Sequence, residues 1–520
     1  MSNAGFELIR NAHKYEPTLH DLKQYFYNVE KRPEGGKLEF APVIGEDSNC
    51  LVATLAFLIE KMPVLIQGYA GSGKTQIMEA VSQLIGLERK MTLKVGSKKA
   101  PWYQMDKINE KQFIIISEYQ KVGGDFIEIL KDWGERRQAQ YDVTDITKSK
   151  DGDQVRTIVL PYKPFMTSKA YENKDVEVTE ELGRRVIQLF TTSSVPMNER
   201  ILKYKLECKA KRRSSMRTMD RQEIERLKIH LGSCIDLADD IDVINPSAPA
   251  MLEYVPKTFR ISCSLVNYYL QVVDAVAKFF HKNRLIVDEN NNIIPIDELK
   301  DRPGKKFLIA TPEDNYLAWI IYGQQFVESC LEMNLTGRQI LTVFPKIMIS
   351  ERVDGSYEPK LEETMTETEI IEGMRADGVI LKRGEVREKL NELLITGYID
   401  MFEGGMSGSK KKRYYKTQMA ANLLDREDAI DWDTLMEISK KYMGEEFPKQ
   451  LDEYINRYCD PDVTVIHPFT GKKVKVLKKA NKQNIINDTK PADNTIENIL
   501  NEIGGEKNER NTTQRTFDMS

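Results

Sequence analysis

The feature that most constrains the fold is a short stretch, residues 68–75, in which three glycines precede a lysine and a threonine. Directly before it, residues 64–66 are uniformly apolar, as in a strand that is buried on both faces. Directly after it, apolar residues recur at helical spacing over residues 77–85. A strand that turns through glycines into an amphipathic helix is typical of α/β folds with a largely parallel sheet.

The same stretch fits the pattern G-x-x-x-x-G-K-[ST] of a phosphate-binding P-loop. Its glycines would let successive backbone N–H groups converge on phosphate oxygens, and the helix N-terminus would add its positive end. Lys74 would neutralise the β and γ phosphates, while the Thr75 hydroxyl would hold Mg²⁺. The sequence therefore predicts ATP and Mg²⁺ as cofactors. The residues predicted to bind the nucleotide here are Gly68, Gly71, Ser72, Gly73, Lys74 and Thr75.

A second apolar run, residues 113–116, ends in Ser117 and Glu118. A buried strand that ends in an acid places a carboxylate at the carboxyl edge of the sheet, beside the predicted phosphates. Glu118 is therefore the candidate base that polarises the attacking water. The aspartate usual before such a glutamate is Ser117 here, so support of Mg²⁺ would come from a hydroxyl or from water.

A third pattern combines a polar strand end with paired arginines. Residues 164–168 are an apolar strand with Thr167 and Ser168 at its end, and Arg184 and Arg185 follow within residues 181–189. Paired arginines are common on protein surfaces, so their significance depends on their position after the two stronger motifs.

Taken in order, these motifs resemble the P-loop ATPases of phages, archaeal viruses and integrated mobile elements, relatives of the AAA+ and superfamily 3 helicases. The resemblance covers about residues 50–206. It departs from the family at Ser117 and at residues 196–198, where relatives tend to carry a glutamine-containing turn. The matching segments are residues 68–75, 96–100, 114–118, 129–134, 165–168, 184–189 and 191–194.

The resemblance implies ATP hydrolysis in a ring, most often a hexamer, that moves on DNA. In such rings Thr167 or Ser168 would sense the γ-phosphate, and Arg184 or Arg185 would reach into the neighbouring subunit's site. Arg260, ahead of a long apolar helix, looks like the lid arginine of the same group and would contact the nucleotide.

The chain has 520 residues, more than one hydrophobic core of about 250 to 300 residues can serve, so several domains are expected. The predicted fold is an α/β P-loop NTPase core, AAA+-like, with a helical lid or linker domain and a C-terminal winged helix. The predicted parts are an N-terminal helical extension (1–46), the ATPase core (47–206), the lid or linker (207–350), the winged-helix-like domain (360–420), a helical segment (421–470), and a basic, then disordered tail (471–520).

The winged-helix prediction rests on the order of elements over residues 383–416. An amphipathic helix beginning at Arg383 leads to a strand over residues 398–402, a glycine-rich tip over 404–408 and a basic strand. Such a helix enters a major groove, while the wing contacts phosphates without reading sequence. Winged helices also bind proteins, so both partners remain open. The predicted DNA contacts are Arg383, Lys410, Lys411, Lys412 and Arg413.

Composition excludes some other classes. No apolar run approaches the roughly 18 residues of a membrane span, and no secretion signal is recognisable, so a cytoplasmic protein without membrane contact is expected. The six cysteines lie far apart without a C-x-x-C pair, and the five histidines do not cluster near them. This spacing argues against a zinc site or a disulfide framework.

The function predicted from these features is that of a DNA-dependent ATPase, a ring-forming replicative helicase or replication initiator of a virus or mobile element. Other replication proteins would be further partners. The alternative is a nucleotide-switched regulator or assembly adaptor whose winged helix binds an operator or a protein. A third class, protein-remodelling or DNA-packaging ATPases, would carry a substrate-gripping aromatic loop or a nuclease domain, and the sequence indicates neither.

Overall fold

A computed structural model of the chain describes residues 16–478, apart from several gaps. The gaps are residues 32–38, 94–103, 123, 145–154, 171–179, 192–194, 212–215, 256–261, 331–334, 346–359, 378, 380, 404–411, 418–419, 422–429, 460–462 and 477.

The strands in chain order are β1 (Glu30–Lys31), β2 (Glu39–Phe40), β3 (Val64–Gly68), β4 (Lys90–Leu93), β5 (Phe113–Ile116), β6 (Ala139–Thr144), β7 (Val155–Leu160), β8 (Phe165–Ala170), β9 (Ile187–Phe190), β10 (Ile241–Ile244), β11 (Leu285–Asp288), β12 (Lys306–Ile309), β13 (Met365–Thr366), β14 (Ile399–Glu403), β15 (Lys412–Lys416), β16 (Thr464–Ile466) and β17 (Lys473–Lys475).

The α-helices are α1 (Leu19–Tyr27), α2 (Asp47–Thr54), α3 (Lys74–Ser82), α4 (Met105–Asn109), α5 (Gly124–Gly134), α6 (Glu180–Gly183), α7 (Val195–Ala210), α8 (Arg221–Leu237), α9 (Ser262–Phe279), α10 (Pro312–Ala318), α11 (Gln324–Cys330), α12 (Leu335–Val343), α13 (Glu367–Ala376), α14 (Arg383–Ile395), α15 (Trp432–Glu446) and α16 (Leu451–Tyr458). Single π-helical turns extend α2 (Leu55–Ile59) and join α10 to α11 (Trp319–Gly323).

A five-stranded sheet lies at the centre of the fold, and each neighbouring pair of its strands runs parallel. Its order is β4-β5-β8-β3-β9. After β3 the chain forms the edge strand β4, then β5 and β8, which fill the space between β4 and β3, and finally β9 on the other side of β3. The predicted α/β class with a parallel sheet is therefore confirmed.

Strand β3 is buried over its whole length because it has a core on each face. Val64 and Ile66 belong to the larger hydrophobic cluster, and Leu65 belongs to a second cluster with Ile114 and Ile116 of β5. Successive side chains of a strand point to opposite faces, so an uninterrupted apolar run is what such a position requires.

Two strands between β5 and β8 lie outside this sheet. Strand β7 pairs antiparallel with β6 in a separate two-stranded sheet. Strand β8 begins where predicted but continues to Ala170, beyond the expected end at residues 167–168. Its hydrogen-bonded register with β3 explains the extra length, since Ala170 lies opposite Gly68.

The region predicted as a helical lid contains a sheet as well. Helix α7 runs through the expected boundary at residue 206 without a break. After α8, strand β10 pairs parallel with β12, and β12 pairs antiparallel with β11. Each of these strands has only four residues, which is too few for an alternating pattern to be recognised. The longer apolar periodicity of α8 and α9 therefore made the region look helical.

Both ends of the described chain contribute to the larger core. Leu22 and Phe26 of α1 are buried in the same cluster as Trp432 and Tyr454 near the C-terminal end. The Lys23 ammonium donates a hydrogen bond of 2.5 Å to the carbonyl oxygen of Phe469, which connects the two ends directly.

A separate hydrophobic cluster lies in the segment predicted to be a winged helix. It joins helices α12, α13 and α14 to a three-stranded antiparallel sheet of order β13-β15-β14. Helix α12, which begins at Leu335, belongs to this cluster, although residues 207–350 were assigned to the lid or linker.

By its internal contacts the chain divides into residues 1–476 and residues 477–520, and the domain boundaries proposed within the first of these stay predictions. Within the described ranges, no helix combines the length and the apolar character needed to cross a membrane. Most of the predicted disordered tail lies outside the described residues.

Candidate functional site

The loop between β3 and α3, residues 68–73, is named the glycine loop here. Gly71 and Gly73 adopt left-handed backbone conformations, with φ of 79° and 88°. A Cβ atom at either position would meet nothing within 4 Å, so the backbone conformation and not crowding favours glycine there. At Gly68 the reason differs, because a Cβ atom would collide with the side chains of Thr191 and Ser72.

Lys74 is the first residue of α3, and its side chain folds back over the glycine loop. Its ammonium donates hydrogen bonds to the carbonyl oxygens of Gly68 at 2.8 Å and Tyr69 at 2.5 Å, and only 8% of the residue is exposed. Thr75, by contrast, is exposed beside it. The loop thus holds an ammonium group next to a helix N-terminus, an arrangement that binds anions.

An open groove of about 350 Å³ lies along this helix N-terminus. Gly71, Lys74 and Thr75 contribute to its lining, and Lys31 and Glu79 form an ion pair of 2.9 Å at its rim. In open α/β sheets, ligands bind outside the carboxyl ends of the strands. The groove occupies this position, because the glycine loop follows the carboxyl end of β3.

Ser117 and Glu118 directly follow the carboxyl end of β5, as predicted. The Glu118 carboxylate pairs with the Lys121 ammonium at 2.9 Å, and 38% of its side chain is exposed. The carbonyl oxygen of Ser117 accepts a hydrogen bond of 2.7 Å from the Ser168 hydroxyl. Because β8 lies between β5 and β3, this bond ties the end of β5 to the strand next to the glycine loop.

Thr167 and Ser168 lie within β8 and not at its end, which corrects their predicted position. Thr167 stands between Leu65 of β3 and Ile116 of β5, and it is completely buried. Its hydroxyl has no hydrogen-bond partner among the described residues. A buried hydroxyl without a partner is costly, which makes Thr167 the more unusual of the two positions.

Thr191 lies in the matching segment 191–194, but no role was predicted for it, although it joins the glycine loop. Its hydroxyl lies 2.6 Å from the Ser72 hydroxyl, and its backbone N–H donates to the carbonyl oxygen of Gln67 at 2.8 Å. The signal was present, because Thr191 is the first polar residue after the apolar strand β9. The same rule identified Ser117 after β5.

Arg184 and Arg185 lie at the opposite edge of the sheet from the glycine loop. They precede β9, whose first residue, Ile187, is opposite Val64, the first residue of β3. The length of β3, about 13 Å, therefore separates the two edges. The structure does not bring these arginines together with Lys74.

The two arginines also differ from each other. Arg185 pairs with the Glu135 carboxylate at 2.5 Å and donates to the carbonyl oxygen of Lys131 at 3.4 Å, so it is bound to the end of α5. The Arg184 side chain is exposed, and its backbone carbonyl accepts a hydrogen bond from the Tyr268 hydroxyl.

The lid arginine proposed from the sequence, Arg260, lies outside the described residues, as do Lys410 and Lys411. Another arginine, Arg338 of α12, is buried near the carboxyl edge of the sheet. Its guanidinium carbon lies 4.3 Å from the centre of the Phe190 ring at the end of β9. Nothing in its local sequence distinguished it from other surface arginines.

Of the residues predicted to bind DNA, two make contacts within the protein. Arg383 pairs with Glu367, which also pairs with Arg387 at 2.8 Å. Arg413 donates to the hydroxyl and the carbonyl oxygen of Thr364 at 2.7 and 2.9 Å.

These contacts attach α14 and β15 to the segment around α13, which the sequence did not indicate. Lys412, at the start of β15, is exposed.

The glycine loop also contacts the C-terminal cluster. The Tyr69 hydroxyl donates a hydrogen bond of 3.1 Å to the Gln339 side-chain oxygen, and the Tyr69 ring packs against the cluster that α12, α13 and α14 form. A change in the backbone of the loop would therefore alter a contact with α12.

A second group of side chains contains no residue of this loop. His230, Cys234 and His281 are buried together, which corrects the expectation that the histidines lie apart from the cysteines. Burial lowers the pKa of His230 to about 3, with a further lowering from His281, and it lowers the pKa of His281 to about 4. Burial also raises the pKa of the Cys234 thiol. All three side chains are therefore uncharged at neutral pH.

Comparison with known proteins adds no family to these observations. A scan against models of protein families finds no match to this chain, and a search of curated proteins finds no matching relative.

Proposed function

We propose that this chain is a P-loop ATPase that binds Mg²⁺ and ATP at the glycine loop. The observation that carries the proposal is the junction of β3 and α3. There, two left-handed glycines precede a buried lysine at a helix N-terminus, on the carboxyl side of a parallel sheet. The Lys74 ammonium would exchange its two carbonyl partners for phosphate oxygens, and the exposed Thr75 hydroxyl would reach Mg²⁺.

Hydrolysis requires a base beside the phosphates, and Glu118 suits this role by its position after β5. One of its present partners, Lys121, is three residues away on an exposed turn, and such exposed pairs are weak. The Glu118 carboxylate could therefore exchange Lys121 for the attacking water at little cost. Ser117, with its carbonyl fixed by Ser168, would orient the strand end.

The proposed active form is a ring, for which a hexamer is the expected state. Support comes from Arg184 and Arg185, which lie at the edge of the sheet away from the glycine loop. An arginine there cannot stabilise the charge of a phosphate held in its own subunit. In a head-to-tail ring the same edge would face the neighbouring subunit's glycine loop, where an arginine lowers the barrier of phosphoryl transfer.

DNA is the proposed substrate of the motor, with the C-terminal cluster acting as a winged helix. The three helices and three-stranded sheet of this cluster are consistent with that fold. Because Arg413 is engaged with Thr364, the proposed phosphate contacts shift to Lys410, Lys411 and Lys412. The chain would then act as a replicative helicase or initiator of a virus or mobile element.

One observation favours the alternative of a nucleotide-switched regulator or adaptor. The Tyr69–Gln339 hydrogen bond joins the proposed nucleotide loop directly to the C-terminal cluster. In this version, the nucleotide state would change the position of the winged helix, and hydrolysis would time an assembly event without moving DNA.

Turnover assays on the full chain test the proposal. Lys74→Ala is expected to abolish binding and hydrolysis, and Glu118→Gln is expected to bind ATP but not to turn it over. Lys449→Ala, a change at an exposed lysine elsewhere, is the matched control and should behave as wild type. Unchanged turnover in both site variants would refute the site. If DNA does not stimulate turnover and the protein does not displace an annealed strand, the nucleotide-switched regulator or adaptor becomes the proposed function.

A further inference from the structure

The group of His230, Cys234 and His281 is assembled from two separate parts of the helical region. His230 and Cys234 are one helical turn apart on α8, so they share a face of that helix. His281 begins the single 3-10 turn that follows α9. None of the three is more than 4% exposed.

The two distances from the thiol are close to those between the ligands of one tetrahedral metal ion, and all three ligand atoms lie within 4.8 Å of one another. The Cys234 Sγ atom lies 3.5 Å from His230 Nε2 and 3.7 Å from His281 Nδ1. Metal–ligand distances of about 2.0 to 2.1 Å for nitrogen and 2.3 Å for sulfur imply about 3.3 to 3.6 Å between tetrahedral ligands. No large movement is needed to bring these atoms around one ion.

A fourth donor faces the same point. The carbonyl oxygen of Phe279 lies 2.9 Å from His230 Nε2 and 4.0 Å from Cys234 Sγ. Phe279 is the last residue of α9, and a carbonyl at a helix end lacks the usual partner within the helix. Cys234 is in the last turn of α8, so both helices present their negative ends to this point.

One nitrogen of each imidazole faces both the thiol and a backbone carbonyl. His230 Nε2 faces the Phe279 carbonyl, and His281 Nδ1 faces the Lys278 carbonyl at 3.0 Å. A metal ion bound at these two nitrogens would take the place of the protons that they share with the carbonyls. His230 Nδ1, which is buried without a hydrogen-bond partner among the described residues, is the other ring nitrogen and would keep its proton.

We propose that these three side chains bind one structural Zn²⁺ ion, with the Phe279 carbonyl oxygen in the fourth position. One thiolate and two imidazoles suit Zn²⁺, whereas Mg²⁺ takes oxygen ligands. On binding, the Cys234 thiol loses its proton to solvent, and His230 carries its remaining proton on Nδ1. Because all four positions are filled by protein, the ion is structural, and it fixes α8 to the end of α9.

The closed site determines how the test is done. With every ligand buried, the ion would enter before folding is complete, so the full chain is expressed with added Zn²⁺ and then dialysed against EDTA. Wild type is expected to retain about one zinc ion per chain, the stoichiometry of a single four-ligand site. Cys234→Ser is expected to lose it. Cys50→Ser removes another buried thiol, outside the group, and should retain it.

Cobalt provides a second measurement that needs no variant. Wild type expressed with Co²⁺ should show the visible absorption of tetrahedral Co²⁺ together with a thiolate-to-cobalt charge-transfer band in the near ultraviolet. Absence of both bands and of retained zinc in wild type would overturn the proposal, and so would equal zinc retention in Cys234→Ser. These readouts do not depend on ATP hydrolysis, so their failure leaves the proposed function untouched.

Discussion

The two edges of the central sheet differ in what they present. At the carboxyl edge, the glycine loop with Lys74 follows β3, and Glu118 follows the end of β5. At the amino edge, Arg184 and Arg185 precede β9, and Arg185 is bound to the end of α5. The carboxyl edge therefore holds the residues of the proposed phosphate site, whereas the amino edge holds cations too far from the glycine loop to contact a phosphate there.

Arg184 and Arg185 therefore cannot act on the glycine loop of their own chain. In the proposed ring they would act on the glycine loop of a neighbouring copy, whereas Arg338, near the carboxyl edge, packs on the Phe190 ring of its own chain. Catalysis would then require assembly, and variants of the arginine and of the loop can test this requirement.

The largest expected effect concerns this connection. Arg184→Ala should lower ATP turnover about 10³-fold, the lower end of what a phosphate-directed arginine contributes. Mixing Arg184→Ala with Lys74→Ala should restore part of the activity, because one chain supplies the loop and the other the arginine. A chain that carries both changes should restore nothing in either mixture. If mixing fails to restore turnover while the variants still assemble, the arginine does not act between subunits.

The next effect concerns DNA affinity. Replacement of Lys410, Lys411 and Lys412 by alanine should weaken DNA binding and lower the salt dependence, log Kd against log salt, by up to about 2.7, or 0.9 per lost phosphate contact. Arg413→Ala should instead lower thermal stability, because it removes the hydrogen bonds to Thr364. An unchanged salt dependence in the triple variant would contradict the proposed wing.

A smaller effect should separate the two hydroxyls of β8. Ser168→Ala removes the bond to the Ser117 carbonyl and should cost about 1 to 2 kcal/mol in the free energy of unfolding. Thr167→Val should cost no stability, because the Thr167 hydroxyl lacks a partner among the described residues. If Thr167 senses phosphate, turnover should nevertheless fall. Denaturant unfolding and ATPase assays on both variants check this, and equal losses of stability would be inconsistent with the structure.

The smallest effect concerns the link between the loop and the C-terminal cluster. Tyr69→Phe removes one hydrogen bond to Gln339 and should change the free energy of unfolding by about 1 kcal/mol or less. If the link transmits nucleotide state, the variant should lose part of the stimulation of turnover by DNA while it keeps basal turnover. Stimulation identical to that of wild type would remove this link from the mechanism.

The sequence was most informative where one local pattern determines both structure and position. The apolar run before Gly68 and the run before Ser117 predicted β3 and β5, because a strand buried on both faces must be apolar throughout. The glycines and Lys74 follow β3 directly, so the geometry of the glycine loop was also predictable.

The parts that the sequence did not reveal depend on contacts between distant residues. The register of β8 against β3 extends that strand and buries Thr167, and no residue near Thr167 signals this. Arg413 finds Thr364 across a sheet, so a basic run became partly structural. Cys234 and His281 are far apart in the sequence, and only the packing of α8 against α9 brings them together.

Titration calorimetry with a non-hydrolysable ATP analogue and Mg²⁺ tests the central claim most directly. The account predicts one binding site per chain in wild type and in Arg184→Ala, and no binding in Lys74→Ala. Binding of equal strength in Lys74→Ala would contradict it, because the nucleotide would then lie away from the glycine loop.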